Sequence, residues 1–230
     1  KIWYTRFNQL NESEDIKMDI LETMKARHSV RQYKNQAIES SKREKINALI
    51  KDVNAESKLS IQVFYDEPKC FDSFMAHYGK FENVKNYIAI VGNKNDQEKA
   101  GYYGEKIVLK CQKLGLNTCW VAMTHGKSKA QIKRGQKLLI IISLGYGETQ
   151  GVPHKSKSIA ELGQADQKNE WFEKGMEAVS LAPTAVNQQK FYFELKNGIV
   201  TAKNLGGFYS RIDLGIVKYH FEAVTGHEVK

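Results

Sequence analysis

The amino-acid sequence predicts an α+β fold, and two observations support this prediction. Short apolar runs typical of strands alternate with segments in which apolar residues recur at helical spacing. One pair of strand-like runs is separated only by Asn197-Gly198, a dipeptide that favours a tight hairpin turn. Because a hairpin joins antiparallel strands, the pattern differs from the regular strand–helix alternation of a doubly wound parallel sheet.

The individual elements follow from apolar spacing and from end signals. Asp15 is expected to cap the first helix, Ser40 or Ser41 the second, and Gly115 to end the third. The run 138–144 is the most apolar strand and is expected to lie centrally in a sheet. The basic stretch 127–137 is expected to be a solvated helix or loop, and 182–189 a loop containing proline. The predicted helices cover about 15–27, 42–54, 101–114, 170–181 and 208–223, and the predicted strands cover 59–65, 87–92, 117–123, 138–144, 190–196 and 199–203.

Length and composition limit the class of protein. A chain of 230 residues can bury a core without disulfides or a structural metal, so 15–230 is expected to form one domain behind an arm at 1–14. The three cysteines (Cys70, Cys111 and Cys119) are typical of a reducing compartment. No apolar run is long enough for a membrane span, and no signal peptide is evident, which predicts a cytoplasmic protein that does not bind membranes. The net charge of +9 favours anionic partners.

A weak internal repeat is also present. Residues 46–65 and 176–195 both show a helix, a turn and then a strand, and Gly101 and Gly207 each precede two aromatic residues near the expected start of a helix. The repeat suggests two similar halves in one chain, at about 43–125 and 170–230. Coincidence between two helix–turn–strand units is the alternative.

Two polar segments are the first candidates for a ligand site. The first contains Arg27, His28, Ser29 and Arg31, so two guanidinium groups and a hydroxyl occur within five residues. This combination suits a phosphate. Alternatively, the arginines at the end of a helix could meet backbone carbonyls and solvent. The second segment, 183–189, offers amide side chains that both donate and accept hydrogen bonds, or it is an ordinary polar loop.

A third basic segment, 153–157, could supply two more cations or form a surface patch. Together the three segments resemble the FMN-dependent nitroreductase family, in its divergent TM-type subfamily named for a thermophile nitroreductase. The resemblance rests on Arg-His-Ser-Val-Arg-Gln-Tyr at 27–33, Ala-Pro-Thr-Ala-Val-Asn-Gln-Gln at 182–189, the helix-to-strand run 104–120, and 153–162. These pieces cover most of the chain from 15 to 196.

The resemblance implies a nitroreductase-like fold with a central, mostly antiparallel sheet flanked by helices, and FMN at an interface. Arg27, His28, Ser29 and Arg31 would approach the phosphate and ribityl chain, and Lys155 and Lys157 would complete the phosphate site. The ring would lie beside the strand end at 120–122 and the loop at 183–189. The residues implied for these ring and ribityl contacts are Trp120, Val121, Ala122, Pro183, Thr184, Ala185, Asn187 and Gln189.

The order of the motifs departs from the usual family pattern. The segment 182–189 normally comes soon after the Arg-Ser motif, but here it lies in the last third of the chain. In ordinary family dimers the two segments reach one FMN from different chains. The suspected repeat would let one chain supply both, which predicts one FMN per chain in a monomeric pseudo-dimer or a homodimer.

The resemblance implies an enzyme that takes hydride from NAD(P)H and reduces nitroaromatics, quinones or similar small acceptors in a ping-pong cycle. The flavin would carry the chemistry, so no catalytic side chain is needed, and no metal site is expected. One alternative is a flavin-binding or flavin-carrier protein without turnover. A second is a nucleic-acid-binding module suggested by the charge, although 127–137 lacks the interleaved aromatics that stack on bases, and no nucleic-acid partner is expected.

Overall fold

A computed structural model of the chain describes residues 20–230. Residues 20–26 form a helix (α1), which is the described part of the first predicted helix. Asp15 and the expected arm at 1–14 lie outside the described residues. Among residues 20–230, every helix falls short of the length and apolarity that a membrane crossing requires.

The larger sheet has four antiparallel strands. They are β1 (Ser60–Phe64), β2 (Asn86–Gly92), β3 (Asn117–Val121) and β4 (Lys137–Gly145), in the spatial order β1-β2-β4-β3. The expectation that the run 138–144 lies centrally is therefore confirmed, because β4 pairs on both sides. The basic stretch ahead of it contains no helix or strand before Lys137, in agreement with the loop alternative.

The smaller sheet contains the predicted hairpin. Strands β6 (Phe191–Lys196) and β7 (Ile199–Asn204) are antiparallel, and the short β5 (Gly163–Ala165) pairs with β6 in parallel. Asn197 and Gly198 both have positive φ, at 52° and 76°. Two consecutive positive φ angles are what the preferred two-residue hairpin turn requires, which explains why this dipeptide occurs there.

Six further helices follow α1. Their bounds are α2 (Ser40–Ser57), α3 (Phe74–Tyr78), α4 (Gln97–Lys113), α5 (Ile159–Leu162), α6 (Glu170–Ser180) and α7 (Ser210–Thr225).

Several predicted boundaries were wrong. Ser40 lies inside α2, whose N-cap is Glu39, and Gly101 lies in the second turn of α4 rather than at its start. Gly207 precedes α7 altogether, so Gly101 and Gly207 do not hold equivalent positions. The short α3, α5 and β5 were not predicted, because segments of three to five residues carry too little periodicity.

Both faces of the larger sheet are covered. Alternate residues of β2 and β4, such as Ile88 and Ile142, pack against α2, α4 and α7. The intervening residues, such as Tyr87 and Ile141, pack on the opposite face against Val30 and neighbouring aromatic rings. Burial on both faces explains why these strands appear in the sequence as continuous apolar runs rather than alternating ones.

Helices α4 and α7 cross at two glycines, and the contacts are reciprocal. A Cβ on Gly101 would collide with the carbonyl of Ile212, and a Cβ on Gly215 would collide with the carbonyl of Glu98. Ile212 lies three residues before Gly215, and Glu98 lies three residues before Gly101. Such an exchange of equivalent positions is typical of a two-fold contact. The two suspected halves also share the element order helix–strand–strand–helix (α2-β1-β2-α4 and α6-β6-β7-α7, leaving out the short α3). Their superposition stays a prediction.

Candidate functional site

A cavity of about 350 Å³ opens where the end of β3, the start of α7 and residues 183–186 meet. Its volume falls in the range of small-molecule and cofactor sites. Seven of the fourteen site residues proposed from the sequence line it: Ser29, Arg31, Trp120, Ala122, Pro183, Thr184 and Ala185. The remaining lining residues are Met123, Thr124, Ile140, Val186, Phe208, Tyr209, Ile212, Asp213 and Ile216.

The segment 27–31 reaches the cavity because it runs beside β3. The backbone N–H of Val30 donates to the carbonyl of Thr118 at 3.0 Å, and Ser29 forms a bridge with the same residue. Along an extended segment, side chains alternate in direction. Val30 therefore points into the core while Ser29 and Arg31 line the cavity.

The same alternation divides the residues of β3. Trp120 and Ala122 line the cavity, while the side chains of Cys119 and Val121 are buried against the opposite face of the sheet. The side chain of Val121 therefore does not line the cavity, and a role for its main chain beside a ring stays a prediction. The indole N–H of Trp120 donates to Glu105 Oε2 at 2.9 Å.

The opposite wall is the loop 183–186, which Asp213 holds in place. Asp213 Oδ1 accepts a hydrogen bond from the backbone N–H of Ala185 at 2.9 Å, and Oδ2 accepts one from Gln188 Nε2 at 2.7 Å. Burial raises the pKa of Asp213 to about 6, against the lowering effect of these two donors. The loop is strained, because Val186 has a φ of 47°.

Asn187 and Gln189 face away from the cavity. Their side-chain amides donate to the carbonyl of Lys155 at 2.9 and 3.0 Å, and Gln189 Oε1 accepts from the backbone N–H of Lys157 at 2.8 Å. These bonds leave the two amides engaged with the segment 155–157 rather than free to contact a ring. This arrangement does not agree with the expectation that the two side chains line the site. Hydrogen bonds to a segment far away in the sequence decide their direction.

Lys155 and Lys157 lie at the surface beside this loop. Lys157 Nζ donates to the carbonyl of Gln189 at 3.2 Å. Neither lysine lines the cavity. The basic segment instead contacts the loop 183–189 on the side that faces away from the cavity.

Arg27 is buried rather than facing the cavity, with 2% of its surface exposed. Its Nε lies 3.8 Å from Glu105 Oε1, which allows attraction but is too long for a hydrogen bond. Arg27 Nε and Nη1 have no hydrogen-bond partner in the described part of the chain. The pKa of His28 is lowered mainly by burial and also by the positive charge of Arg27. The same two causes lower the pKa of His154. The positive charge of Arg27 therefore acts on both neighbouring imidazoles.

Sequence reasoning missed the contribution of α7 to the cavity. Ile212, Asp213 and Ile216 come from its first two turns, and Tyr209 Oη donates to the carbonyl of Ala122 across the cavity at 3.3 Å. One signal was available: Asp213 is a single charge within the apolar run 212–217. A carboxylate on the buried face of a helix is uncommon and points to a specific partner or ligand.

The protein has a nitroreductase-like α+β fold, with a four-stranded antiparallel sheet and a cavity lined by segments that lie far apart in the chain. The chain belongs to the family described as "Putative TM nitroreductase", whose sequence profile matches residues 19–225.

Solved structures agree on this fold. The nitroreductase of Thermotoga maritima that shares the family's TM designation has a TM-score of 0.65 and 24% identity, over 89% of this chain and 82% of the other. A structure from Bacteroides thetaiotaomicron, described as an NADH dehydrogenase/NAD(P)H nitroreductase, has a TM-score of 0.50 and 18% identity, over 65% of this chain and 98% of the other. A comparison with curated proteins found no match.

Proposed function

We propose that this protein binds FMN in the cavity and is an NAD(P)H-dependent oxidoreductase that reduces nitroaromatics, quinones or similar small acceptors. One observation carries the proposal: the two sequence motifs that resemble the nitroreductase family, 27–33 and 182–189, lie far apart in the chain, but residues of both line one cavity. Membership of a nitroreductase family supports the same reading.

The residues present fit a flat aromatic ring with a polar, anionic tail. The apolar side chains that line the cavity include Trp120, Ile140, Ile212 and Ile216. The hydroxyls of Ser29 and Thr184 and the guanidinium of Arg31 add polar contacts. Such a mixture of apolar lining and a few placed polar groups is typical of cofactor sites.

The buried guanidinium of Arg27 supports an anion near Ser29. Its Nε and Nη1 lack hydrogen-bond partners, although buried donors are normally satisfied. A phosphate in the neighbouring region would be stabilised by this charge, together with Lys155 and Lys157 at the surface. As placed, Arg27 contributes electrostatic attraction, and a direct hydrogen bond would need its side chain to turn outward.

FMN would supply the two-electron chemistry when bound, and the protein would supply position, orientation and exclusion of water. Arg31 would attract the electronegative edge of the ring or the tail, and Ser29 would orient the chain that joins them. Asp213 would keep the loop 183–186 at a fixed distance from Trp120, because both of its oxygens are bonded to that loop and its flank.

We further propose one FMN site per chain, because residues from both suspected halves line the cavity. Trp120 belongs to the first half and Thr184 and Ile212 to the second, while Ser29 precedes the first half, and all four line the cavity within one polypeptide. A measured ratio of flavin to chain near one would agree with this arrangement. A ratio near one-half would show that two chains are needed for each site.

The visible spectrum of the purified protein and an FMN titration test the proposal. Arg31→Ala should weaken FMN binding about tenfold or more, because a charge-assisted contact contributes roughly 1.5–3 kcal/mol. Arg134→Ala is the matched control, since Arg134 is an exposed arginine in the basic loop and does not line the cavity. Its FMN affinity should equal that of the wild type.

Two results would count against the proposal. A colourless protein that does not take up added FMN would exclude flavin binding. A yellow protein that fails to oxidise NAD(P)H with any nitroaromatic or quinone acceptor would instead favour the flavin-carrier alternative.

A further inference from the structure

Four side chains from four elements meet in a buried polar cluster behind the cavity. The charged cluster consists of Arg27 at the end of α1, Glu105 on α4 and His220 on α7, with Trp120 on β3 at its edge. Glu105 and His220 are completely buried, and Arg27 is 2% exposed. Because Trp120 also lines the cavity, the cluster connects the interior of the helix pair to the proposed ring site.

Glu105 is the centre of this cluster. Its Oε1 lies 3.0 Å from His220 Nε2, and its Oε2 accepts the indole N–H of Trp120 at 2.9 Å. Burial alone would raise the pKa of Glu105, but the hydrogen bond and charge of His220, the charge of Arg27 and the Trp120 hydrogen bond together lower it. Both carboxylate oxygens are therefore engaged, one with α7 and one with the cavity wall.

His220 is held from both sides. Its Nδ1 lies 2.8 Å from the carbonyl of Ala178 on α6, and its Nε2 faces Glu105. The Ala178 carbonyl can only accept, so Nδ1 donates to it, and Nε2 makes the contact with Glu105. The imidazole thus links α6 to α4 and fixes the direction of the Glu105 carboxylate.

The indole of Trp120 has a second constraint besides its hydrogen bond. A Cβ at Gly104 would collide with the far edge of the indole ring and would lie 2.8 Å from Ile90 Cδ1. The bare glycine therefore lets the ring lie directly on α4. Hydrogen bonding at Nε1 and close packing at the opposite edge together leave the ring one orientation.

We propose that Glu105 and His220 are positioning residues that fix the Trp120 indole as a wall of the cavity. This inference deepens the proposed function, because a fixed indole would help a flat ring to fit the cavity. The part that concerns ring binding rests on the proposed function. The orientation of Trp120 itself does not depend on any ligand. It can therefore be measured on the ligand-free chain.

The first experiment follows the indole N–H resonance of Trp120 in a ¹H–¹⁵N spectrum without added ligand, assigned through Trp120→Phe. In His220→Leu, which removes the polar contact with Glu105 Oε1, the resonance should shift and its exchange with water should become faster. His220→Gln keeps a side-chain donor that can reach Glu105 and should restore part of the wild-type signal. Glu105→Gln, which keeps the shape of the side chain, should also shift the resonance.

The second experiment measures FMN affinity for the same variants by flavin fluorescence. We expect a loss of about tenfold for His220→Leu and partial recovery for His220→Gln. Glu56→Gln is the control, because Glu56 is an exposed carboxylate that contacts α4 through Tyr103 and Lys106 outside the cluster. Its indole resonance and FMN affinity should match the wild type.

Two outcomes would overturn the proposal, and a third would separate it from the proposed function. An unchanged Trp120 resonance in both Glu105→Gln and His220→Gln would do so even if His220→Leu failed to fold. Shifted resonances with unchanged FMN affinity would show that the indole orientation does not serve the ring. A wild type that binds no FMN but shows the expected resonance changes would refute the proposed function while leaving the positioning of Trp120 supported.

Discussion

Replacing Asp213 by Asn should change how the stability of the protein depends on pH. Asp213 is 5% exposed, and burial raises its pKa from the ordinary 3.8 to about 6. A carboxyl group whose pKa is higher in the folded state binds its proton more tightly there than in the unfolded chain. Its favourable contribution is therefore complete below about pH 4 and is lost as the pH rises through about 6.

The magnitude follows from the two pKa values. Each pKa unit of difference corresponds to about 1.4 kcal/mol. At pH 7.5 the ionised carboxylate therefore lowers the free energy of unfolding by about 3 kcal/mol. About 2 kcal/mol of this loss occurs between pH 4.5 and 7.5. Asn at this position keeps an oxygen for the N–H of Ala185 but presents an N–H group to Gln188. The lost hydrogen bond should cost about 1 kcal/mol at every pH.

The assay is urea unfolding at pH 4.5, 6.0 and 7.5, without and with saturating FMN. The free energy of unfolding of Asp213→Asn minus that of the wild type should rise by about 2 kcal/mol from pH 4.5 to 7.5. Asp52→Asn changes an exposed aspartate on α2 and serves as the control, with no such rise expected. Parallel curves for Asp213→Asn and the wild type would refute the assignment of a raised pKa to Asp213.

Two further substitutions test the packing that supports the cavity. Gly215→Ala would push a Cβ into the carbonyl of Glu98, so thermal unfolding should show a loss of about 3 kcal/mol or more, and wild-type stability would contradict the close crossing. Tyr33→Phe would remove a buried hydroxyl that donates to the carbonyl of Val30 at 2.7 Å and lies 2.8 Å from Ser143 Oγ. Urea unfolding should show a loss of about 1–3 kcal/mol, and an unchanged midpoint would show that these groups find other partners.

The sequence predicted the local parts of this fold well. The apolar runs that became β2 and β4 and the hairpin at Asn197 and Gly198 each depend on signals contained within a few residues. The start of α2 was placed two residues late, because Ser40 resembles a cap but Glu39 occupies that position. Boundaries depend on backbone angles that residue preferences alone do not determine.

The site was harder to predict, because tertiary contacts decide the direction of its side chains. Ser29, Trp120 and Thr184, which were singled out as members of motifs, line the cavity. Asn187 and Gln189 belong to the same motif but turn toward the carbonyl of Lys155, 32 and 34 residues away in sequence. No local pattern contains that partner.

The burial of Arg27 shows the same limitation. Within the sequence it resembles Arg31, four residues later, and both looked equally suited to a phosphate. The end of α1 directs Arg27 toward Glu105, whereas the extended segment beside β3 directs Arg31 toward the cavity. The partner that decides the difference, Glu105, lies on another helix and appears in the sequence as an ordinary charged residue.

The crossing of α4 and α7 joins the two helices that support residues lining the cavity. Helix α4 supports one wall, since Trp120 lies on Gly104 and is bonded to Glu105. Helix α7 supplies the opposite wall through Ile212 and Asp213. The paired glycines bring the two helices into backbone contact, and His220 joins them through Glu105. We therefore expect a change at the crossing to alter both the stability of the fold and the fit of a flat ligand, because both helices support residues that line the cavity.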